Sequence, residues 1–174
     1  MASSWSEPTR ALPLRWGHYG ERYVGGILLI VGGAIQLQGS NPYTLVFLLI
    51  GNVAFAVGWS ILPARGWTRM LAVVLASAQL WLLLAGPLSA WTLVVPYLCW
   101  LLVRARPARS YVTVVFPLAN GVILPQFFTE YADMLPTLAI SLAVFVASAW
   151  IARLIASSPA RTPAATLRSP SEPR

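Results

Sequence analysis

Apolar residues run along this chain in long blocks broken by short polar punctuation, not at the spacing of a single buried helix face. Residues 23–64, 70–103, 110–129 and 134–152 contain no Asp, Glu, Lys or Arg. A helix needs about 20 apolar residues to cross the hydrocarbon core of a bilayer. The first window holds two such stretches, 23–38 and 43–62, parted by a Gly-Ser-Asn-Pro turn signal at 39–42. The second holds 70–86 and 88–103, parted at Gly86-Pro87. At roughly 16–17 residues each, these two are shorter than the usual span. They read either as thin full spans or as a re-entrant hairpin. Residues 111–128 and 135–154 make a fifth and a sixth stretch. Pro96, Pro117 and Pro125 lie inside predicted spans, where they kink or locally open a helix.

The pattern predicts an all-α polytopic membrane protein, six transmembrane helices folded as three hairpins. An arm over 1–22 precedes the membrane domain at 23–154. The tail at 155–174, rich in Pro, Ser, Ala and Arg, lacks the apolar residues to build a core and is expected to be disordered. No small-x-small cleavage site closes the first stretch, so it is expected to remain as a signal anchor.

Composition narrows the class. Hydrophobic residues make up 57% of the chain and charged residues 10%, against about 25% charged in a soluble domain. The mean hydropathy of +0.69 agrees. The net charge of +7 would point to nucleic acid in a soluble protein. Here its position decides. All twelve basic residues are arginine, which with the many Ala, Gly and Pro suggests a GC-rich genome. They sit at 10, 15, 22, 65, 69, 104, 106, 109, 153, 161, 168 and 174. The alternate loops, 38–42, 86–89 and 129–134, have none. Positive charge resists translocation, so loops that gather it stay cytoplasmic. Both termini are therefore predicted inside, in a bacterial plasma membrane, with the lipid bilayer as partner and no nucleic acid. Trp59, Trp67, Trp100 and Trp150 fall near the predicted inner ends and Tyr43, Trp91 and Phe127 near the outer ends, as interfacial anchors do.

Candidate chemistry is sparse. No predicted span carries an ionisable acid, base or His away from its ends, which counts against a proton relay. With no lysine there is no retinal Schiff base. No nucleotide-binding loop, zinc-protease helix or serine-hydrolase elbow is present. One cysteine, Cys99, and one histidine, His18, do not make a metal site. No catalytic, cofactor or metal residue is expected, and the chain is read as no enzyme.

Asn52, Gln79 and Asn120 each lie about nine residues into a different predicted span, hence near one depth at 1.5 Å per residue. They read either as the polar lining of a substrate path or as hydrogen-bond glue between helices. Small residues mark candidate packing faces: Gly25 and Gly32, with Gly26 and Gly33 beside them, then Gly51, Ala54 and Gly58, then Ala72 and Ala76. Such stripes let helices approach closely, within the chain or against another membrane subunit or a second copy. Glu130 and Asp133 form the one outward acidic cluster, read as a solvated loop.

The paired glycines, the short turn with Pro42 and the returning "VGWSILPAR" give residues 22–66 a pattern that resembles the first hairpin of HdeD-like bacterial six-helix proteins. It brings no residue roles. The function expected is a non-enzymatic accessory or structural subunit of a membrane complex. The alternative is a small transporter or channel for a neutral or lipid-like solute.

Overall fold

A computed structural model describes residues 8–11, 17–40 and 43–158. Among these residues every regular element is helical. Six α-helices follow in chain order: α1 (Tyr19–Gln38), α2 (Leu45–Ile61), α3 (Gly66–Leu82), α4 (Val94–Val103), α5 (Val115–Ile123) and α6 (Met134–Ser157). Tighter 3₁₀ segments extend several of them. Leu83–Ala85 continues α3, Pro87–Leu93 leads into α4, Ala108–Val114 leads into α5, and Leu124–Gln126 continues it. The tail beyond 158 and the arm at 1–7 and 12–16 lie outside the described residues. The last helix runs to Ser157, past residue 155 where the tail was placed.

Two helical stretches, Gly66–Ala85 and Met134–Ser157, are long and apolar enough to cross a membrane by length and composition. Leu45–Ile61 and Pro87–Val103 are shorter apolar helices. The physical reasons lie in particular residues. The first helix begins on the polar Tyr19-Gly20-Glu21-Arg22. The fifth is reduced to nine α-helical residues between 3₁₀ segments, with Pro117 inside it and Pro125 just after.

The first two helices are the most extensively packed pair. Their seam is built on glycine. A Cβ placed on Gly33 would lie 2.5 Å from the Gly51 carbonyl oxygen, and one on Gly58 would lie 2.7 Å from that of Gly26. Two helix backbones meet there with no side chain between them. Of the two glycine pairs on α1, only one meets α2. Gly25 and Gly32 have nothing within 4 Å, and Gly26 and Gly33 carry the contact. At about 100° per residue, one position separates the seam from the outside of the hairpin. On α2, Gly51 and Gly58 are both buried in the seam.

The third helix lies against α2 on one side and α4 on the other, α5 packs on Pro87–Leu93, and α6 lies against α5 and Ala108–Val114. Gly121 of α5 backs directly onto the main chain of Ala90 and Trp91. The core gathers Leu37, Phe55, Trp59, Leu62, Leu80, Leu83, Val103 and Met134 around the small side chains of Ala72 and Ala76.

Candidate functional site

The three carboxamides are not hydrogen-bonded to one another. Each hydrogen-bonds a different neighbour. Trp81 Nε1 of α3 donates to Asn52 Oδ1 of α2 at 3.3 Å. Gln79 Nε2 of α3 donates to Thr92 Oγ1 at 3.0 Å. Asn120 Nδ2 of α5 donates to Ser141 Oγ of α6 at 2.9 Å. Every one of these bonds ties one helical element to the next. Gln79 is buried, at 3% exposure, among the apolar core of α3, so its donor is satisfied where an orphan would be costly.

The partners reveal a device that the sequence reading missed. Ser89-x-x-Thr92-x-x-x-Pro96 and Ser110-x-x-Thr113-x-x-x-Pro117 share one spacing. In both, the segment before the proline is 3₁₀, and the threonine hydroxyl donates to the serine carbonyl, at 2.7 and 2.8 Å. Proline has no N–H, so the carbonyl four residues earlier loses its α-helical partner. That carbonyl belongs to the threonine in each case. A tighter 3₁₀ turn keeps an amide on that carbonyl, Val94 on Thr92 and Val115 on Thr113, while the hydroxyl bonds back to the serine carbonyl. Each threonine oxygen then serves a second helix: Thr92 accepts from Gln79, and Thr113 pairs with the Tyr97 hydroxyl at 2.7 Å. The repeated S-x-x-T-x-x-x-P spacing was the readable signal for Thr92 and Thr113. Nothing comparable announced Ser141.

The arginines form the second constellation. Arg22 Nε at the start of α1 donates to the Ile61 carbonyl at the end of α2, at 3.1 Å. Burial first, and then the nearby Arg69, pull its guanidinium below the ordinary value. Arg104, just after α4, donates to the Tyr19 hydroxyl at 2.8 Å and lies 4.4 Å above the Tyr23 ring. Arg109 donates to the Ala156 carbonyl at the end of α6, at 2.8 Å. These contacts join the start of α1 to the ends of α2 and α4, and the start of Ala108–Val114 to the end of α6. The arginine-bearing loops thus meet at one end of the bundle.

The same end holds a cavity of about 310 Å³ between the turn at Pro8–Ala11, the start of α3 with Arg65 before it, and the end of α4 with the residues that follow it to Tyr111. Arg65, Arg106, Thr9, Thr68 and Tyr111 contribute to its wall, with Leu102 and Val103. Arg106 is 7% exposed and stacks at 5.6 Å over Trp100. The turn that delivers it closes α4 with the Ala105 amide on the Leu102 carbonyl and the Arg106 amide on the Leu101 carbonyl, at 3.0 and 3.1 Å. This closure requires a left-handed residue at its centre, usually glycine. Ala105 takes that place at φ 48°, which costs about 1–2 kcal/mol for a residue with a Cβ.

Elsewhere, the Asp133 carboxylate accepts from the Glu130 amide at 3.4 Å, a local loop contact. His18 sits at the start of α1, where its backbone amide donates to Glu21 Oε2 at 3.0 Å. Cys99 is buried in the core as a free thiol. Among the described residues no three His, Cys, Asp or Glu side chains gather as a metal site. Comparison with protein-family models, curated proteins and solved structures gives no match, so the likeness of residues 22–66 to an HdeD-like hairpin brings no function to this chain.

Proposed function

We propose that the chain is a six-span integral membrane protein of a bacterial plasma membrane, with both termini on the cytoplasmic, arginine-bearing side. Within that membrane it acts as a non-enzymatic accessory or structural subunit of a larger assembly. The observation that carries the membrane reading is the reversed face of α6. Its buried seam is small and polar: Thr137, Ser141, Ser148, Ala152 and Ala156. Its outward side is large and apolar: Leu135, Leu142, Val146, Trp150 and Leu154. A soluble core helix buries its apolar face. Here 17% of the apolar window of α6 is buried, and 28% of that of Gly66–Ala85. Exposed Val46, Leu49 and Val53 give α2 a similar outer surface.

Element lengths support the shorter spans. A 3₁₀ helix rises about 2.0 Å per residue against 1.5 Å for an α-helix. Seven 3₁₀ and ten α residues over 87–103 therefore reach about 29 Å. Residues 108–126 reach about 33 Å on the same arithmetic. Both are close to the ~30 Å of hydrocarbon in a bilayer. The proline-directed 3₁₀ turns lengthen elements that look too short by residue count.

The subunit reading draws on what the fold leaves unused. The carboxamides are occupied by internal partners, and Gly26, Gly33, Gly51 and Gly58 by the α1–α2 seam. Gly25 and Gly32 remain, seven residues apart on α1 with open space before both. Another transmembrane helix fits close against such a face. Purification of the tagged chain from its native membrane in mild detergent, with native mass determination, tests this. A stoichiometric membrane partner is expected, released by Gly25→Leu with Gly32→Leu while the chain itself stays folded. A lone monomer contradicts the subunit reading. The second reading, a small transporter or channel for a neutral or lipid-like solute, draws on the interrupted α5. It fails if Ala at 52, 79 and 120 leaves flux in liposomes unchanged.

A further inference from the structure

We propose that residues 87–103 and 108–126 are a pair of coupled hinges, each passing between a 3₁₀ and an α-helical form of its first seven residues. The two segments repeat one pattern. Shifted by 21 positions, Ser89, Thr92, Val94 and Pro96 fall on Ser110, Thr113, Val115 and Pro117. Both begin in a 3₁₀ helix, Pro87–Leu93 and Ala108–Val114, and turn α-helical at Val94 and Val115. Runs of 3₁₀ helix beyond about three or four residues are uncommon, and inside a helix they often mark hinges. Each form has its own cost here. The α form aligns its hydrogen bonds better, but it sets the Thr92 and Thr113 carbonyls against the rings of Pro96 and Pro117. The 3₁₀ form avoids that clash with poorer hydrogen bonds. The two costs offset each other. Converting seven residues from about 2.0 to about 1.5 Å of rise shortens a segment by about 3.5 Å and turns its start by about 140°.

The pair is antiparallel and interlocked. Tyr97 of α4 pairs with Thr113 in the 3₁₀ part of the second segment, and Gly121 of α5 backs onto Ala90 and Trp91 in the 3₁₀ part of the first. Each α-helical part thus lies against its partner's 3₁₀ part. A Cβ on Gly121 would lie 2.8 Å from the Trp91 amide nitrogen. Two backbones touch there, so the first segment cannot shorten without dragging the second. Hydroxyl bonds latch the observed form. Gln79 holds Thr92, Tyr97 holds Thr113, and all four side chains are buried. Turning either 3₁₀ part takes its threonine off this partner, at a cost that a low-dielectric interior raises. Beyond the pair the ties diverge. Gln79 fastens the first segment to α3, while Ser110 and Arg109 fasten the second to the Ala152 and Ala156 carbonyls of α6, at 3.1 and 2.8 Å. Those anchors stand on the two long apolar stretches, Gly66–Ala85 and Met134–Ser157. The coupled pair therefore passes a displacement of one long helix to the other. This inference stands on the packing of the two segments and is the same for a subunit and for a transporter.

The test uses the full chain in lipid nanodiscs, in a Cys99→Ser background, with spin-label pairs that measure the length of each segment. One pair is Leu88→Cys with Leu102→Cys and the other Ala108→Cys with Val122→Cys, all at exposed positions. Pulsed electron–electron resonance should find two distance populations in each segment, about 3 Å apart. Tyr97→Phe keeps the ring and removes the bond to Thr113. It should raise the ratio of the shorter to the longer population about fivefold in both segments, the effect of one hydrogen bond. Pro96→Ala lifts the clash with the Thr92 carbonyl and should also favour the shorter population in both. Ser148→Ala removes a hydroxyl bonded within α6 to the Val144 carbonyl at 2.7 Å, and should change neither. A single population per segment in every chain overturns the proposal. So does a response to Tyr97→Phe in one segment alone, or an equal response to Ser148→Ala. Tyr97→Phe still decides the matter if Pro96→Ala fails to fold.

Discussion

A methyl group on Gly33 would meet the Gly51 carbonyl oxygen at 2.5 Å and the Phe55 amide nitrogen at 2.6 Å, while one on Gly32 would meet nothing within 4 Å. Both obstacles at Gly33 are backbone, so neither can swing aside. Gly33→Ala is expected to push α1 and α2 apart and to destabilise the fold by about 1–3 kcal/mol. Gly32→Ala is expected to be neutral, or to stabilise α1 by up to about 1 kcal/mol through helix propensity. Thermal unfolding in detergent separates the two. A loss at position 32 equal to that at 33 would contradict the seam. Spacing in the sequence does not distinguish these glycines, because 25 and 32 repeat at the same interval as 26 and 33. The choice between them is made by the rotation of α1 about its own axis, which only the partner helix fixes.

At the scale of the elements, internal hydrogen bonds between helices and caps at their ends hold the arrangement. The Asn120–Ser141 bond joins α5 to α6. A double-mutant cycle with Asn120→Leu and Ser141→Ala should give a coupling of about 0.6 kcal/mol, the average for such bonds between membrane helices. Zero coupling would mean that the bond contributes nothing to holding α5 on α6. At the start of α1 the exposed Glu21 carboxyl is held below its ordinary value. The cause is first the hydrogen bond from the His18 amide, then electrostatic attraction to His18. Folding lowers this carboxyl's pKa, so the cap's contribution is complete above the ordinary carboxylate range. It is lost as pH falls through that range to the folded-state value. The unfolding temperatures of the unaltered chain and Glu21→Gln should differ at pH 7 and converge near pH 3. A gap independent of pH would contradict the cap.

Much of this element pattern was legible. Charge-free windows and a Gly-Ser-Asn-Pro turn place the helices because lipid-like surface and turn chemistry are local properties. The 3₁₀ segments were not legible from apolar content, since Ser89, Thr92, Ser110 and Thr113 look like ordinary polar interruptions. They gain meaning only with Pro96 and Pro117 four residues after each threonine. The arginine cavity was likewise invisible. Arg65 and Arg106 lie 41 positions apart, and their common volume is created by tertiary folding around the turn at Pro8–Ala11.

On the scale of the whole molecule the account rests on two facts of arrangement. Large apolar side chains face outward on α2 and α6, while α1 and α2 meet on glycine and α6 turns small and polar residues inward, and the arginine-bearing loops converge on one end. Glu130 and Asp133 lie in the loop between α5 and α6, which emerges at the other end. A bilayer rewards both, since apolar faces enter lipid and positive charge stays on the cytoplasmic side. The measurement that tests this most directly is single-cysteine labelling in intact cells, in a Cys99→Ser background, with a membrane-impermeant maleimide. Ser40→Cys, Ser89→Cys and Ala132→Cys should label from outside. Ala64→Cys, Ala108→Cys and Ser158→Cys should label only after the membrane is opened. Labelling of position 108 from outside, or recovery of the chain in the soluble fraction, would contradict the six-span account.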